Sequence, residues 1–445
     1  MRVAAFLLAL IGLVPALVSV AGAQRKKVEQ SPYDPAWAAV KPLRTLQHAY
    51  NAKQTPEQNG AALKTALVAL KAGDCLVIEA GTYSLAGGMF ELNVAGTEKA
   101  PVWVTAAENK GELARVVITR PDARQNVLNV GGAAPARFLC LRGLEITGGS
   151  HGLRLHDCED VWVDRCRFYD TGEVAISANT RDTARLFLTR NDISRTSGTG
   201  EGMYLGANDG KVKMRDSVIA LNHIHDIGGD KVTQGDGIEV KQGSFGNRIA
   251  ENTVHDTAYP CIIAYGTGGE RPNIIERNTC WTSGDNVMQV QGEAVVRNNL
   301  LLNGGNAGFA SHDHQGKSVN LVVVHNTIVS RKLGAKLNSW NSREGMVFAN
   351  NAVYSEGAAI QFSGGSQGVD LRGNVVFGSV SGASTGFVKG RGLEDFAGLT
   401  WDAARRDARP AAGSPLVGAA DTEPKVETDL TGAKRAGRVA GACEK

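Results

Sequence analysis

From Leu141 onward the chain repeats one phrase: an apolar residue, two spacers, a recurrent residue, one spacer and another apolar residue. The recurrent position is Leu144, Cys166, Asn191, Asn222, Asn252, Asn278, Asn299, Asn326, Asn351 and Asn374, at intervals of 21 to 31 residues. Its apolar partner two residues later is Ile146, Phe168, Ile193, Ile224, Val254, Cys280, Leu301, Ile328, Val353 and Val376. A spacing of two keeps side chains on one face of a strand. Repeats of this length, made of strands without helices, predict a solenoid. The dense leucine pattern of a leucine-rich repeat is missing, so the expected architecture is an all-β parallel β-helix with one coil per repeat. Ten coils at an interstrand spacing of ~4.8 Å give a rod on the order of 50 Å long. Inward asparagines at a bend would bond the backbone and each other up the stack, which assigns that column to structure.

Downstream of each recurrent residue lies a second pattern: small, apolar, variable, apolar, variable. The apolar positions line the core and the variable ones form an outward sheet face. Stacked, they give one column of Arg154, Ala175, Tyr204, Glu239, Ile263, Gln289, Ala310 and Lys336. A neighbouring column holds His156, Ser177, Gly206, Lys241, Tyr265, Gln291, His312 and Asn338. Tyr, His, Gln, Lys and Glu gather in the middle coils, as suits a groove for a linear polymer. At its centre, Gly235-Asp236-Gly237-Ile238-Glu239-Val240-Lys241-Gln242-Gly243 puts Glu239 and Lys241 on one strand face.

A solenoid must cover the apolar cross-section of its end coils. Thr55-Pro56-Glu57-Gln58 reads as a capping box with Pro at the first helical position. Leu63, Ala66, Leu67 and Leu70 follow at helical spacing, and Gly73 closes the helix. This helix, sitting before the first strand, is the expected N-terminal cap, while the proline-punctuated stretch 24–54 wraps the outside. The pattern fades after Gly378, so 73–378 is the solenoid and 379–445 an irregular C-terminal cap and side strap. At the front, Arg2, an apolar run from Val3 to Val20 and Ala21-Gly22-Ala23 have the layout of a secretory signal peptide over 1–23. No later stretch is apolar enough to span a bilayer.

Composition narrows the partners. The 48 basic and 45 acidic residues nearly balance and form no strongly basic block, which argues against nucleic acid. The 54 glycines lack a collagen period and suit tight turns between short strands. None of the seven cysteines forms a C-x-x-C pair, which gives a structural zinc site little support. Cys166 sits in the buried column as a small hydrophobe; Cys140 with Cys158 is a candidate disulfide.

Gly73-Asp74 through Gly81-Thr82-Tyr83, the stretch Gly96-Thr97-Glu98-Lys99-Ala100-Pro101-Val102, the asparagine coils and the ending Gly413-Ser414-Pro415-Leu416 carry a family likeness. With them the chain resembles the exported right-handed parallel β-helix proteins that include pectate lyases, chondroitinase B and alginate lyases. The resemblance implies an enzyme acting on an acidic polysaccharide; with the signal-peptide layout, the protein is expected to be secreted or periplasmic, and it is expected to be a monomer. Cleaving a uronate polymer by β-elimination needs a neutraliser for the carboxylate, a base for the proton beside it and an acid for the leaving oxygen. In chondroitinase B and its relatives a lysine on such a coil is the base, helped by calcium, and that role falls to Lys241. Glu239 would raise the Lys241 pKa; calcium bound by Asp236 and Glu239 would reverse that field. An ordinary surface ion pair of Glu239 with Lys241 is the competing reading. Those lyases carry an arginine in the next coil, where this chain has Ile262-Ile263-Ala264-Tyr265-Gly266. Tyr265 is therefore the expected proton donor, with His312 as second choice. Arg154, Tyr204, Gln289, Gln291, Lys336 and Asn338 are the expected substrate contacts, and Tyr204 and Trp340 could stack on sugar rings. Three further clusters could act: the acidic loop Asp226, Asp230, Asp236 on calcium; His223 and His225 with Asp226 on a metal; and His312-Asp313-His314. A uronate C5-epimerase uses the same proton abstraction, and a non-catalytic glycan-binding or envelope β-helix is the remaining alternative.

Overall fold

Every asparagine of the repeat sits just after a residue with φ between 51° and 62°, as at Arg190, Leu221 and Glu251, so the chain turns sharply there. The left-handed bend leaves backbone groups facing inward without strand partners. The asparagine amides satisfy them. Asn252 Nδ2 donates to Ile219 O at 2.9 Å and to Asn278 Oδ1 at 2.9 Å, and the Asn252 backbone N–H donates to the same oxygen at 3.0 Å. The pattern runs unbroken from Asn191 to Asn374. A shorter ladder absent from the sequence reading, Ser217, Asn247 and Asn273, does the same at another corner.

These bends fold the chain, in a computed structural model describing residues 31–445, into a right-handed parallel β-helix of three strand ladders. The first runs from Arg44–His48 to Asp370–Arg372 and the second from Gly81–Ser84 to Phe387–Lys389. The third begins at Glu91–Leu92, passes through the second half of Ala352–Ser363 and ends in the last residues of Asn374–Ser381. In the second ladder Ile146, Phe168, Ile193, Ile224, Val254, Cys280, Leu301, Ile328 and Val353 pair in succession, the register expected from the repeat. The signal-peptide segment lies outside the described residues. Among the described residues no helix is long and apolar enough to cross a membrane.

The helix spans Pro56–Val68 with the Thr55–Gln58 capping box in place, and Leu63 and Leu67 are buried beneath it. A Cβ on Gly60 would fall 1.9 Å from Ser84 O, so glycine is what lets the helix seat on the first coil. One expectation changes: Arg44–His48 is not outer wrapping but pairs with Asp74–Ile78 as the first rung, ahead of the helix. The segment before it does pack outside, with Trp37 set edge-on between Trp103 and Trp162.

All seven cysteines are free and buried. Cys140 and Cys158 do not pair, because Cys140 lies opposite Trp162 and Cys158 opposite Ala136 in adjacent strands. The strand register separates them along the strand, and the Cys158 thiol bonds Val130 O instead. At the other end, Phe396–Leu399 and Arg406–Pro410 form a hairpin. The tail then packs along the second ladder, where Phe396, Leu416 and Val439 cover Leu302, Val329 and Tyr354.

Candidate active site

The third ladder carries the polar columns. Arg154, Ser177, Tyr204, Glu239, Ile263, Gln289, Ala310 and Lys336 occupy successive rungs. Ser177 takes the place expected for Ala175. The run Val174 to Ala178 is buried throughout and has a single polar side chain, Ser177, so alternation gives it no phase, and pairing alone fixes it. Backbone bonds from Lys241, Tyr265 and Gln291 to Leu205, Val240 and Ala264 stack the neighbouring column.

This face is not an open sheet. Glu239, Lys241 and Tyr265 are only 2–4% exposed. They form the floor of a cleft of about 520 Å³ that also takes in Asp236, Gln289, His312 and Lys336. Tyr259, Asn286 and Asn306 stand on one side; Asn208, His314 and Gln315 stand on the other. Gln315 ties the two loops of that second wall together, donating to Asn208 Oδ1 at 2.9 Å and accepting from the Asp209 N–H at 3.1 Å. Arg154, Tyr204, Gln291 and Asn338 lie outside this lining. Arg154 is three rungs from Glu239 and donates to Asn179 Oδ1 at 2.9 Å. Tyr204 lies beneath Lys241, Gln291 is buried near the carbonyl of Lys317, and Asn338 lies opposite Ser363. Trp340 cannot stack on a ligand: it is fully buried between Phe348 and Phe362, with its indole N–H on Ser311.

The centre of the cleft is a buried ion pair, so the surface-pair reading fails. Lys241 Nζ contacts Glu239 Oε1 and sits 4.4 Å from the Tyr204 ring centroid and 5.3 Å from that of Tyr265. Burial pulls the Lys241 pKa down, but the charge and hydrogen bond of Glu239 more than offset it, and the net direction is up. Tyr265 O–H points at Glu239 Oε1 from 3.5 Å, and burial with the Glu239 charge pushes its pKa far above the phenol range. His312 and His314 are both shifted down, chiefly by burial, which favours neutral imidazole. The His314 ring lies 5.1 Å from Tyr265, between it and His312.

Beside the ion pair, a third carboxylate joins the two expected ones. Glu201, Asp236 and Glu239 are buried and can each bring one oxygen within 4.8 Å of the others. Glu201 Oε1, Asp236 Oδ1 and Glu239 Oε2 have no hydrogen-bond partner. Burial, and then the charges of Glu239 and Glu201, drive the Asp236 pKa well above its ordinary value; burial also raises Glu239. With the Lys241 ammonium as the one positive charge among the described residues in contact with them, these three acceptor-only groups do not all ionise without a further cation. Glu201 escaped the sequence reading although its frame gives it away, since it precedes Met203 by two residues as Asp236 precedes Ile238 on the next rung. Asp226 and Asp230 do not join Asp236: they line a separate hollow with Asp170 and Asp256, because the loop 228–237 runs from one ladder to the next.

Comparison with known proteins agrees with the fold. The family model for the right handed beta helix region matches residues 127–279. The solved structure of pectate lyase Pel9A is similar over 92% of this chain and 98% of its own, with 15% identity and a TM-score of 0.53. An alginate lyase from Paenibacillus sp. str. FPU-7 aligns over 76% of this chain and 99% of its own, with 19% identity and a TM-score of 0.44. The alginate lyase AlyGC of family PL6 aligns over 86% and 60%, with 15% identity and a TM-score of 0.46. No curated protein matches the chain in sequence.

Proposed function

We propose that this protein is a polysaccharide lyase that cleaves a uronate-containing glycan by β-elimination, with Lys241 as the base. The observation that carries the reading is the buried Lys241–Glu239 pair set against three converging carboxylates with orphaned oxygens. The pectate lyase likeness supports the same class of substrate.

Glu201, Asp236 and Glu239 fit a calcium-type ion, which prefers carboxylate oxygens, and their three unpartnered oxygens are the test of that fit. Such an ion, when bound, supplies positive charge that balances the cluster and the carboxylate of a uronate. Lys241, on the cleft floor beside Glu239, takes the proton on the carbon beside the substrate carboxylate; positive charge held at Glu201, Asp236 and Glu239 would offset the field of Glu239 that favours its ammonium form. Tyr265 keeps its phenolic proton across the working range and donates it toward the leaving oxygen as the glycosidic C–O bond breaks and the C=C bond forms. His312, neutral and on the same cleft, is the second proton donor available. Gln289 and Lys336 follow along the floor and bind the next residues of the polymer.

The test is incubation with alginate, pectate and glycosaminoglycans, with and without calcium, following the absorbance of unsaturated ends at about 235 nm. A lyase gives that signal with wild type, and Lys241→Ala removes it. Inverted uronates without unsaturated ends would instead identify an epimerase, and an inert but glycan-binding protein would discard catalysis.

A further inference from the structure

A second ligand set lies on the outward face of the second ladder, away from the carboxylate cluster. His223 and His225 point outward from the strand His223–Ile227. Asp192 lies opposite His223 on the preceding rung, and His255 lies opposite His225 on the following one. Asp192, His223 and His225 can each bring one donor atom within 4.8 Å of the other two.

Accounting for each proton makes this arrangement specific. His225 Nδ1 lies 2.7 Å from Asp226 Oδ2, and His255 Nδ1 lies 2.6 Å from Asp256 Oδ2. A carboxylate only accepts, so each ring carries its proton on Nδ1 and presents a bare Nε2. The bare Nε2 of His255 is 3.0 Å from Nε2 of His223, which must donate, and this leaves His223 Nδ1 bare. That nitrogen lies 3.1 Å from Asp192 Oδ2, and the bare Nε2 of His225 lies 3.4 Å from the same oxygen. Asp192 Oδ1 already faces the Arg167 guanidinium at 3.4 Å. With neutral imidazoles, three lone pairs converge and no proton lies between them.

We propose that Asp192, His223 and His225 form a binding site for a divalent transition-metal ion of the zinc class. Two imidazoles and a carboxylate suit such an ion and are poor ligands for calcium, which takes oxygen. The surroundings have the form of a ligand-orienting shell: Asp226 fixes the tautomer of His225, and His255, itself fixed by Asp256, fixes that of His223. His255 is held by stacking on Trp281 with centroids 4.2 Å apart, and the Arg406 guanidinium lies 4.1 Å from the Trp281 ring centroid. Three protein ligands leave a fourth position open to water, on a face where His223 is exposed.

The alternative occupant of the convergence is an extra proton, and metal titration separates the two. The full mature protein, freed of metal by chelator, is titrated with zinc at neutral pH by calorimetry, and with cobalt(II) by visible absorption. The expected result is one saturable zinc site and a cobalt spectrum of nitrogen and oxygen coordination. His223→Gln and His225→Gln should each weaken zinc by at least tenfold, and Asp226→Asn by roughly tenfold. Unchanged thermal unfolding of the metal-free variants verifies that they fold, and Glu201→Gln in the cleft should leave the zinc isotherm as it was. The proposal is overturned if the wild type shows no saturable zinc binding, or if the isotherm survives in the doubly substituted His223→Gln, His225→Gln protein.

Discussion

Two stacks of buried polar side chains run through this molecule, and they end in opposite states. In the asparagine ladder each amide donates to the next and accepts from the one before, as Asn278 does toward Asn299 and from Asn252. In the cleft, the coil geometry sets Glu201 against Asp236 on the next coil with Glu239 beside them, but carboxylates only accept, and each keeps an oxygen without a donor. A repeat scaffold decides that a side chain is buried; its donors and acceptors decide whether the stack closes on itself or demands a ligand. The ladder is architecture because its bonding is complete, and the cleft is the candidate site because three converging carboxylates there leave theirs incomplete.

Substitutions at the two stacks should differ in kind. The largest effect is expected at Lys241→Ala, with turnover of the acidic glycan falling about 10²–10⁴-fold in protein shown to be folded at the assay temperature, and with a lowered unfolding temperature because Glu239 loses its buried partner; a fall in turnover below tenfold would remove Lys241 from the chemistry. Next, Asn278→Ala removes the acceptor shared by the Asn252 backbone N–H and side-chain amide and the amide donor to the Ile249 carbonyl, and should cost on the order of 3 kcal/mol in denaturant unfolding. A loss under 1 kcal/mol would mean that the ladder is not a closed network. Asp236→Asn should go the other way, raising the calcium-free unfolding temperature by about 2 °C or more and abolishing the stabilisation by calcium. The sign follows from the raised Asp236 pKa. The unfolded carboxylate ionises from about pH 4, the folded one only higher, so wild type loses stability as pH rises between them and the variant's advantage vanishes in acid. The smallest effect belongs to Arg154→Ala, three rungs away, with a few-fold rise in KM and an unchanged kcat.

Much of this was legible in the chain. The second ladder could be aligned residue by residue because its apolar positions alternate with a fixed partner, and the asparagines mark the bend that starts each strand. The coil at Val174–Ala178 is displaced by two positions because it is buried throughout and, Ser177 apart, apolar, which leaves no alternation to set its phase. Trp340 looked like a surface aromatic because position alone does not tell an outward face from the core beyond a strand end. Glu201 went unnoticed because it lies in a loop, two residues before the strand pattern begins.

The sequence by itself determined the coil, the bend and the columns, since these follow from local periodicity and from what an asparagine amide can bond. Only the tertiary structure decided which polar groups were stripped of water and how near their charges came. The loops of separate coils, joined at Asn208 and Gln315, turn an expected open face into a cleft. Inside it Lys241 and Glu239 change from a solvated pair into a buried one. The same closeness across coils brings Glu201 to Asp236 and Asp192 to His223, from 31 or more residues away in the chain. Desolvation and convergence are properties of the stack, and no single repeat contains them.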